Sequence, residues 1–113
     1  MQVLTKACQV WSRWRTYQKR TLPFIGTFED LDIILAICTH HNTSRPLTIM
    51  SLIDSGIGPR NTVRRHLRRL IAEGLVSAQR STVDRRVTEI TFTPAGLRIA
   101  ESISRNLRQL TAK

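Results

Sequence analysis

Apolar residues recur every three or four positions over most of this chain, and two short β-prone stretches interrupt that rhythm. Residues 4–20 read as a helix, with Val3, Ala7, Val10, Trp11, Trp14 and Tyr17 forming its apolar stripe. Pro23 and Gly26 punctuate the break that follows. Thr27 is suited to cap a second helix, since Glu29 and Asp30 fall in its first turn, where the backbone dipole favours acids. Leu31, Ile34, Leu35 and Cys38 carry that helix to about His41, and Asn42-Thr-Ser-Arg-Pro is a turn signal. Thr48 suits the cap of a short helix from Ile49 to Asp54, closed by Ser55-Gly56. Pro59 fits the first position of the next helix, which runs to Glu73 and stops at Gly74. Leu75–Gln79 and Val87–Phe92 are β-prone and are joined by the arginine-rich tip Arg80–Arg86. Thr93-Pro94 opens a last helix with Leu97, Ala100, Ile103, Leu107 and Leu110 on one stripe.

Two helices joined by a tight turn and followed by a β-hairpin make a winged helix-turn-helix. The expected fold is therefore mainly α with a small β-hairpin wing. Residues 27–93 form the winged helix-turn-helix, flanked by an N-terminal helix in 1–22 and a C-terminal helix in 94–113. A core this small cannot cover both terminal stripes, so these helices are expected to dimerise the chain.

Composition sharpens this picture. The 113 residues are 41% hydrophobic, enough for one modest core. Lys and Arg number 18 against 8 acids, a formal charge of +10, and a polyanionic partner follows. The charge is uneven: residues 1–22 hold five bases and no acid, residues 23–58 one base and four acids, and residues 59–86 eight arginines and two acids. Two cysteines exclude a disulfide framework and a four-cysteine zinc site. The longest apolar run, Ile33–Cys38, is too short to span a bilayer, and no secretory leader is legible, so the expected address is cytoplasmic with no membrane partner.

On a helix over residues 59–73, at about 100° per residue, Val63, Leu67, Leu70 and Ile71 share the core-facing arc. Asn61, Arg65, Arg68 and Ala72 fall opposite, flanked by Arg64 and Arg69. Arg can donate two hydrogen bonds to guanine and Asn can pair with adenine in the major groove, while flanking arginines suit phosphates. A solvated helix would interleave acids for pairing, but here Glu73 stands alone. His66 lies at the core edge and is expected to be a half-buried packing residue. The tip arginines Arg80, Arg85 and Arg86 suit a minor groove, whose negative potential attracts Arg. Asp84 is out of place beside phosphate unless it accepts hydrogen bonds from a loop Arg or from backbone N–H groups and shapes the loop. The expected DNA-binding set is Arg60, Asn61, Arg64, Arg65, Arg68, Arg69, Arg80, Arg85 and Arg86, with Asp84 positioning the wing.

Three runs carry a resemblance to a known family: Leu47-Thr-Ile-Met-Ser-Leu-Ile; Thr62-Val-Arg-Arg-His-Leu-Arg-Arg-Leu-Ile-Ala-Glu-Gly-Leu-Val; and Asp84-Arg-Arg-Val-Thr-Glu-Ile-Thr-Phe-Thr-Pro-Ala-Gly. Over about residues 28–110 the chain resembles the MarR family of winged-helix transcriptional regulators. The resemblance implies a dimer built from the terminal helices, a recognition helix in the major groove and a wing in the minor groove. By position it places Asn61, Thr62, Arg64 and Arg65 on the recognition helix, Arg86 as the wing arginine and Asp84 as its positioning acid. Family members usually carry an arginine where this chain has Ala78, and the nearest here is Arg80. A small-molecule effector is common in the family, and no residue here specifies one.

Other chemistry is thin. Cys8, among Trp11, Trp14 and Tyr17, reads as a packing residue before it reads as a redox sensor. Cys38 follows a core stripe, and His40-His41 suits a helix C-terminus better than a metal. No catalytic triad, paired carboxylates or phosphate-cradling loop is legible, so no enzyme activity, cofactor or metal is expected. The prediction is a sequence-specific regulator that binds double-stranded DNA. Two alternatives share the fold: a nucleic-acid-binding protein of replication or mobile-element maintenance, and a protein-interaction module, which the outward arginines disfavour.

Overall fold

The computed structural model describes residues 2–22, 27–41 and 45–111. Its elements follow the order α1 (Gln2–Thr21), α2 (Phe28–His40), β1 (Leu47–Thr48), α3 (Ile49–Ile53), α4 (Arg60–Ala72), β2 (Val76–Arg80), β3 (Thr88–Phe92) and α5 (Pro94–Thr111). The chain divides into two units: residues 27–100, and α1 with the part of α5 from Glu101 onward.

In the first unit, side chains start and stop the helices as their chemistry dictates. The Thr27 hydroxyl accepts from the Asp30 backbone N–H at 3.2 Å and opens α2. The Thr48 hydroxyl accepts from Ser51 N–H at 3.1 Å and opens α3. Each such cap is worth about 1 kcal/mol. Gly74, at φ +77°, takes the left-handed turn that ends α4, a conformation that a Cβ would strain. Pro59 caps α4 from outside, one position earlier than expected, and makes no side-chain cap bond. The punctuating Pro23 and Gly26, and residues 42–44 of the turn before Arg45, lie outside the described residues.

The core gathers Ile33, Ile34 and Ile37 of α2, Leu52 and Ile53 of α3, and Val63, Leu67 and Leu70 of α4. Leu47, Leu75, Val76 and Ile90 close it from the sheet side. Truncating a fully buried leucine such as Leu52 to Ala should cost roughly 2–5 kcal/mol. Ile71, expected in this core, is instead 37% exposed. Ile71 stands at the outer end of the apolar arc of α4 and so falls at the rim of the packed face.

The sheet is three-stranded and antiparallel in the order β1-β3-β2. β1 is absent from the sequence reading because two residues show no alternation. Leu47 pairs with Ile90, and both are buried, so the strand is held by tertiary pairing. β2 and β3 start one residue later than expected, which puts Arg80 inside the ladder opposite Thr88.

In the second unit, the Tyr17 hydroxyl and the Ser102 hydroxyl lie 2.8 Å apart. The Trp14 and Tyr17 rings are 5.6 Å apart and tilted. Arg15 donates to the side-chain oxygen of Gln18 at 2.6 Å. Val3, Leu4, Trp11 and Leu107 stay exposed, so the terminal stripes are only partly covered within one chain. No helix among the described residues is long and apolar enough to cross a membrane.

Candidate nucleic-acid interface

The short α3 leads through Gly56, at φ +87°, to α4, which makes the helix-turn-helix corner. α4 carries five arginines and no acid between Arg60 and Ala72. Val63, Leu67 and Leu70 are buried on its inner face. Arg60, Asn61, Arg65 and Arg68 are exposed on the outer one, and Thr62, Arg64, His66 and Arg69 are half-buried along its edges. The Arg64 Nε–H is buried without a hydrogen-bond partner, a donor left open on an otherwise cationic surface.

One residue of this helix departs from the sequence expectation, and a second gains a partner that the sequence does not show. Arg69 was placed among the outward phosphate binders, but its Nη2 donates into the structure, to Asp30 Oδ2. His66 is half-buried, as its place at the core edge predicts, and its Nδ1 also lies 3.1 Å from Asp30 Oδ1. Asp30 is the residue that sequence reasoning missed. Its place in the first turn of α2 was fully explained by the helix dipole, which left nothing to suggest a contact 36 and 39 residues away.

The loop between β2 and β3 is shaped chiefly by Ser81 and Asp84, with Arg80 and Arg86 as further partners. The buried Ser81 hydroxyl accepts from the N–H groups of Val83 at 3.1 Å and Asp84 at 3.2 Å. Backbone bonds from Ser81 N–H to the Val87 carbonyl, at 2.8 Å, and from Val87 N–H to the Asp84 carbonyl, at 3.0 Å, close the loop. Asp84 Oδ1 accepts from Arg86 N–H at 3.1 Å and from Arg86 Nε at 3.2 Å, and Oδ2 accepts from Nη2 at 3.3 Å. These side-chain bonds, and secondarily the backbone one, hold the Asp84 carboxyl below the usual carboxylate range. The Arg86 side chain nonetheless stays 91% exposed. Arg80 donates to the Arg85 carbonyl at 3.3 Å, bracing the other side of the loop. With Ala78 in place of an arginine, Asp84 is thus served from within the loop by Arg86.

No protein-family model matches the sequence, and no curated relative is detected by sequence. Solved structures do match. A mutant of S. aureus MepR bound to an oligodeoxyribonucleotide superposes with a TM-score of 0.77 at 15% identity, over 97% of this chain and 78% of that one. A transcriptional regulator of Thermotoga maritima gives 0.70 at 21% identity, over 96% and 72%. A mutant of E. coli MarR complexed with operator DNA gives 0.63 at 18% identity, over 96% and 76%. The fold is the MarR-type winged helix. In that fold α3 and α4 form the helix-turn-helix, and β2, β3 and the loop between them form the wing. β1, paired with β3, ties the start of α3 to the wing hairpin.

Among the described residues, no group of three or more His, Cys, Asp or Glu is placed to hold a metal ion. His40 Nδ1 lies 3.0 Å from the Ala36 carbonyl, and Cys38 is half-buried, with its thiol pushed up by burial. Cys8 is exposed on α1.

Proposed function

We propose that this protein is a sequence-specific transcriptional regulator that binds double-stranded DNA as a homodimer. In this reading α4 enters the major groove and the wing enters the adjacent minor groove. The observation that carries it is α4 itself: a helix with Arg60, Asn61, Arg65 and Arg68 exposed and no acid among its residues, beside a wing whose Arg86 projects into solvent. Arg65 and Asn61 are assigned to base edges, where their donors and acceptors discriminate. Arg60, Arg64 and Arg68, with Arg80 and Arg85 of the wing, are assigned to phosphates, which position without reading. Thr62, half-buried at the start of α4, is assigned to the backbone contact that sets the helix end. Structures of the same fold bound to operator DNA and to an oligodeoxyribonucleotide support the reading.

The dimer belongs to the proposal for an energetic reason and a geometric one. Val3, Leu4, Trp11 and Leu107 stay exposed in one chain, and a second copy would remove them from water. A two-fold dimer also sets two recognition helices about one DNA turn, ~34 Å, apart.

Selection from random duplex DNA tests the function directly. The expected product is an inverted repeat with half-site centres about one turn apart. Enrichment of no sequence, with tight binding to every duplex, would instead fit an architectural or replication role and overturn the regulator reading.

A further inference from the structure

The first turn of α2 holds Glu29 and Asp30, and helix-dipole reasoning treats them alike. The structure separates them: Glu29 is half-buried, while Asp30 is 0% exposed. A carboxylate taken wholly out of water must be matched by close partners. Both partners come from α4, at positions three apart and hence on one face of that helix. Asp30 Oδ1 lies 3.1 Å from His66 Nδ1, and Oδ2 accepts from Arg69 Nη2. A carboxylate oxygen only accepts, so the His66 proton on that side resides on Nδ1. Arg65 and Arg68 stand exposed on the adjoining outer face of the same helix. Five arginines on α4 are therefore not equivalent: one spends its charge on a buried acid.

We propose that Asp30 is a positioning residue for duplex recognition, which withholds Arg69 from the phosphate backbone and seats α4 through His66 and Arg69. The proposal rests on the DNA-binding reading and deepens it. Each arginine that reaches a phosphate strengthens binding to every sequence equally. A recognition helix with all five arginines outward would gain affinity without discrimination. Neutralising one of them inside the fold lowers the sequence-independent part and leaves the base-reading edge in place.

The salt dependence of binding to a duplex of arbitrary sequence reads this out, because its slope counts phosphate contacts at about 0.9 each. Wild type is compared with Asp30→Asn, Arg69→Gln and the double variant, each checked for cooperative unfolding. Arg69→Gln is expected to leave the slope unchanged. Asp30→Asn is expected to steepen it by about 0.9 per protomer as Arg69 is released to a phosphate, and the double variant to return it to the wild-type value. A merely structural role for Asp30 would lower stability without steepening the slope. Flattening by about 0.9 in Arg69→Gln, or an unchanged slope in folded Asp30→Asn, overturns the proposal. Should a single variant fail to fold, the double variant decides, since it keeps a hydrogen-bonding pair without charge: a wild-type slope supports the proposal and a flattened one overturns it. Wild-type protein with no salt-dependent duplex binding overturns the DNA-binding reading itself, which is a separate outcome.

Discussion

Gly96, in the first turn of α5, presses directly against the Leu75 carbonyl at the entrance to β2. A Cβ on Gly96 would stand 2.9 Å from the carbonyl carbon of Leu75, closer still to its oxygen, and 3.2 Å from Phe92 Cδ1. The same Leu75 carbonyl accepts from Thr93 N–H at 3.1 Å, and the Thr93 hydroxyl accepts from Gly96 N–H at 3.0 Å while donating to the Gly74 carbonyl at 2.6 Å. The Thr-Pro-Ala-Gly run is thus a clamp between the end of α4, the start of β2 and the start of α5.

Gly96→Ala should therefore destabilise the protein although Ala is the better helix former. Backbone cannot rotate away as a side chain can, so the cost should match overpacking, roughly 1–3 kcal/mol. Urea unfolding of the two proteins measures it. A variant as stable as wild type would mean that α5 can shift off Leu75 freely.

Arg65 and Arg86 should fail in different ways. Arg65→Ala is expected to cost about 1–3 kcal/mol on the selected duplex and to relax preference at one position of each half-site. Arg86→Ala is expected to weaken selected and scrambled duplexes together, with the larger loss on sites flanked by narrow A·T-rich minor groove. Titrating both variants against both duplexes separates reading from positioning. An unchanged selected-to-scrambled ratio for Arg65→Ala would remove it from the reading edge.

Asp84 should titrate below the usual carboxylate range, and Arg86→Ala should return it to that range. The sign follows from linkage: a carboxyl lowered in the folded state supports the wing above its unfolded value. It loses that support as the pH falls through the lowered folded value. The wing should therefore hold its shape from neutral pH down past the ordinary aspartate range. The Arg86 amide shift, followed by NMR in acid, reports it directly. Loss of the wing signal already at mildly acidic pH would contradict the ion pair.

Trp11 is 67% exposed and is the largest apolar group left uncovered on α1. Trp11→Ser should weaken self-association by about 2 kcal/mol, roughly thirtyfold in dissociation constant, while monomer unfolding changes little. Sedimentation or light scattering across a dilution series checks this. A wild-type chain that stays monomeric at micromolar concentration and still binds its site tightly would rule out the dimer.

Local chemistry was enough to bound α2, α3 and α4, because each carries its own start and stop. It was not enough to phase α2, whose buried face is Ile33, Ile34 and Ile37 while Leu35 of the expected stripe is 64% exposed. Thr27 and Thr48 cap, Gly74 turns left-handed, and Val63, Leu67 and Leu70 repeat at helical spacing, all within a few residues of one another. The outward composition of α4 was legible for the same reason, since a helix of known phase sorts its residues by angle alone. The Asp84-Arg86 proximity is also local, two residues apart along one loop.

Everything that depends on distant partners was decided by the tertiary structure. β1 exists because Leu47 finds Ile90 43 positions later, and two residues alone carry no period to reveal it. Ile71 is 37% exposed at the rim of the core, where periodicity alone had assigned it to the buried face. Arg69 and Asp30 illustrate the limit most clearly. In sequence, one is a basic residue on a basic helix and the other an acid in a helix's first turn, and each has a sufficient local explanation. Only the packing of α2 on α4 removes Asp30 from water, and once it is dry its charge must be met by Arg69 and its remaining oxygen by His66. Burial sets that demand, and burial is a property of the assembled fold that no short window of sequence contains.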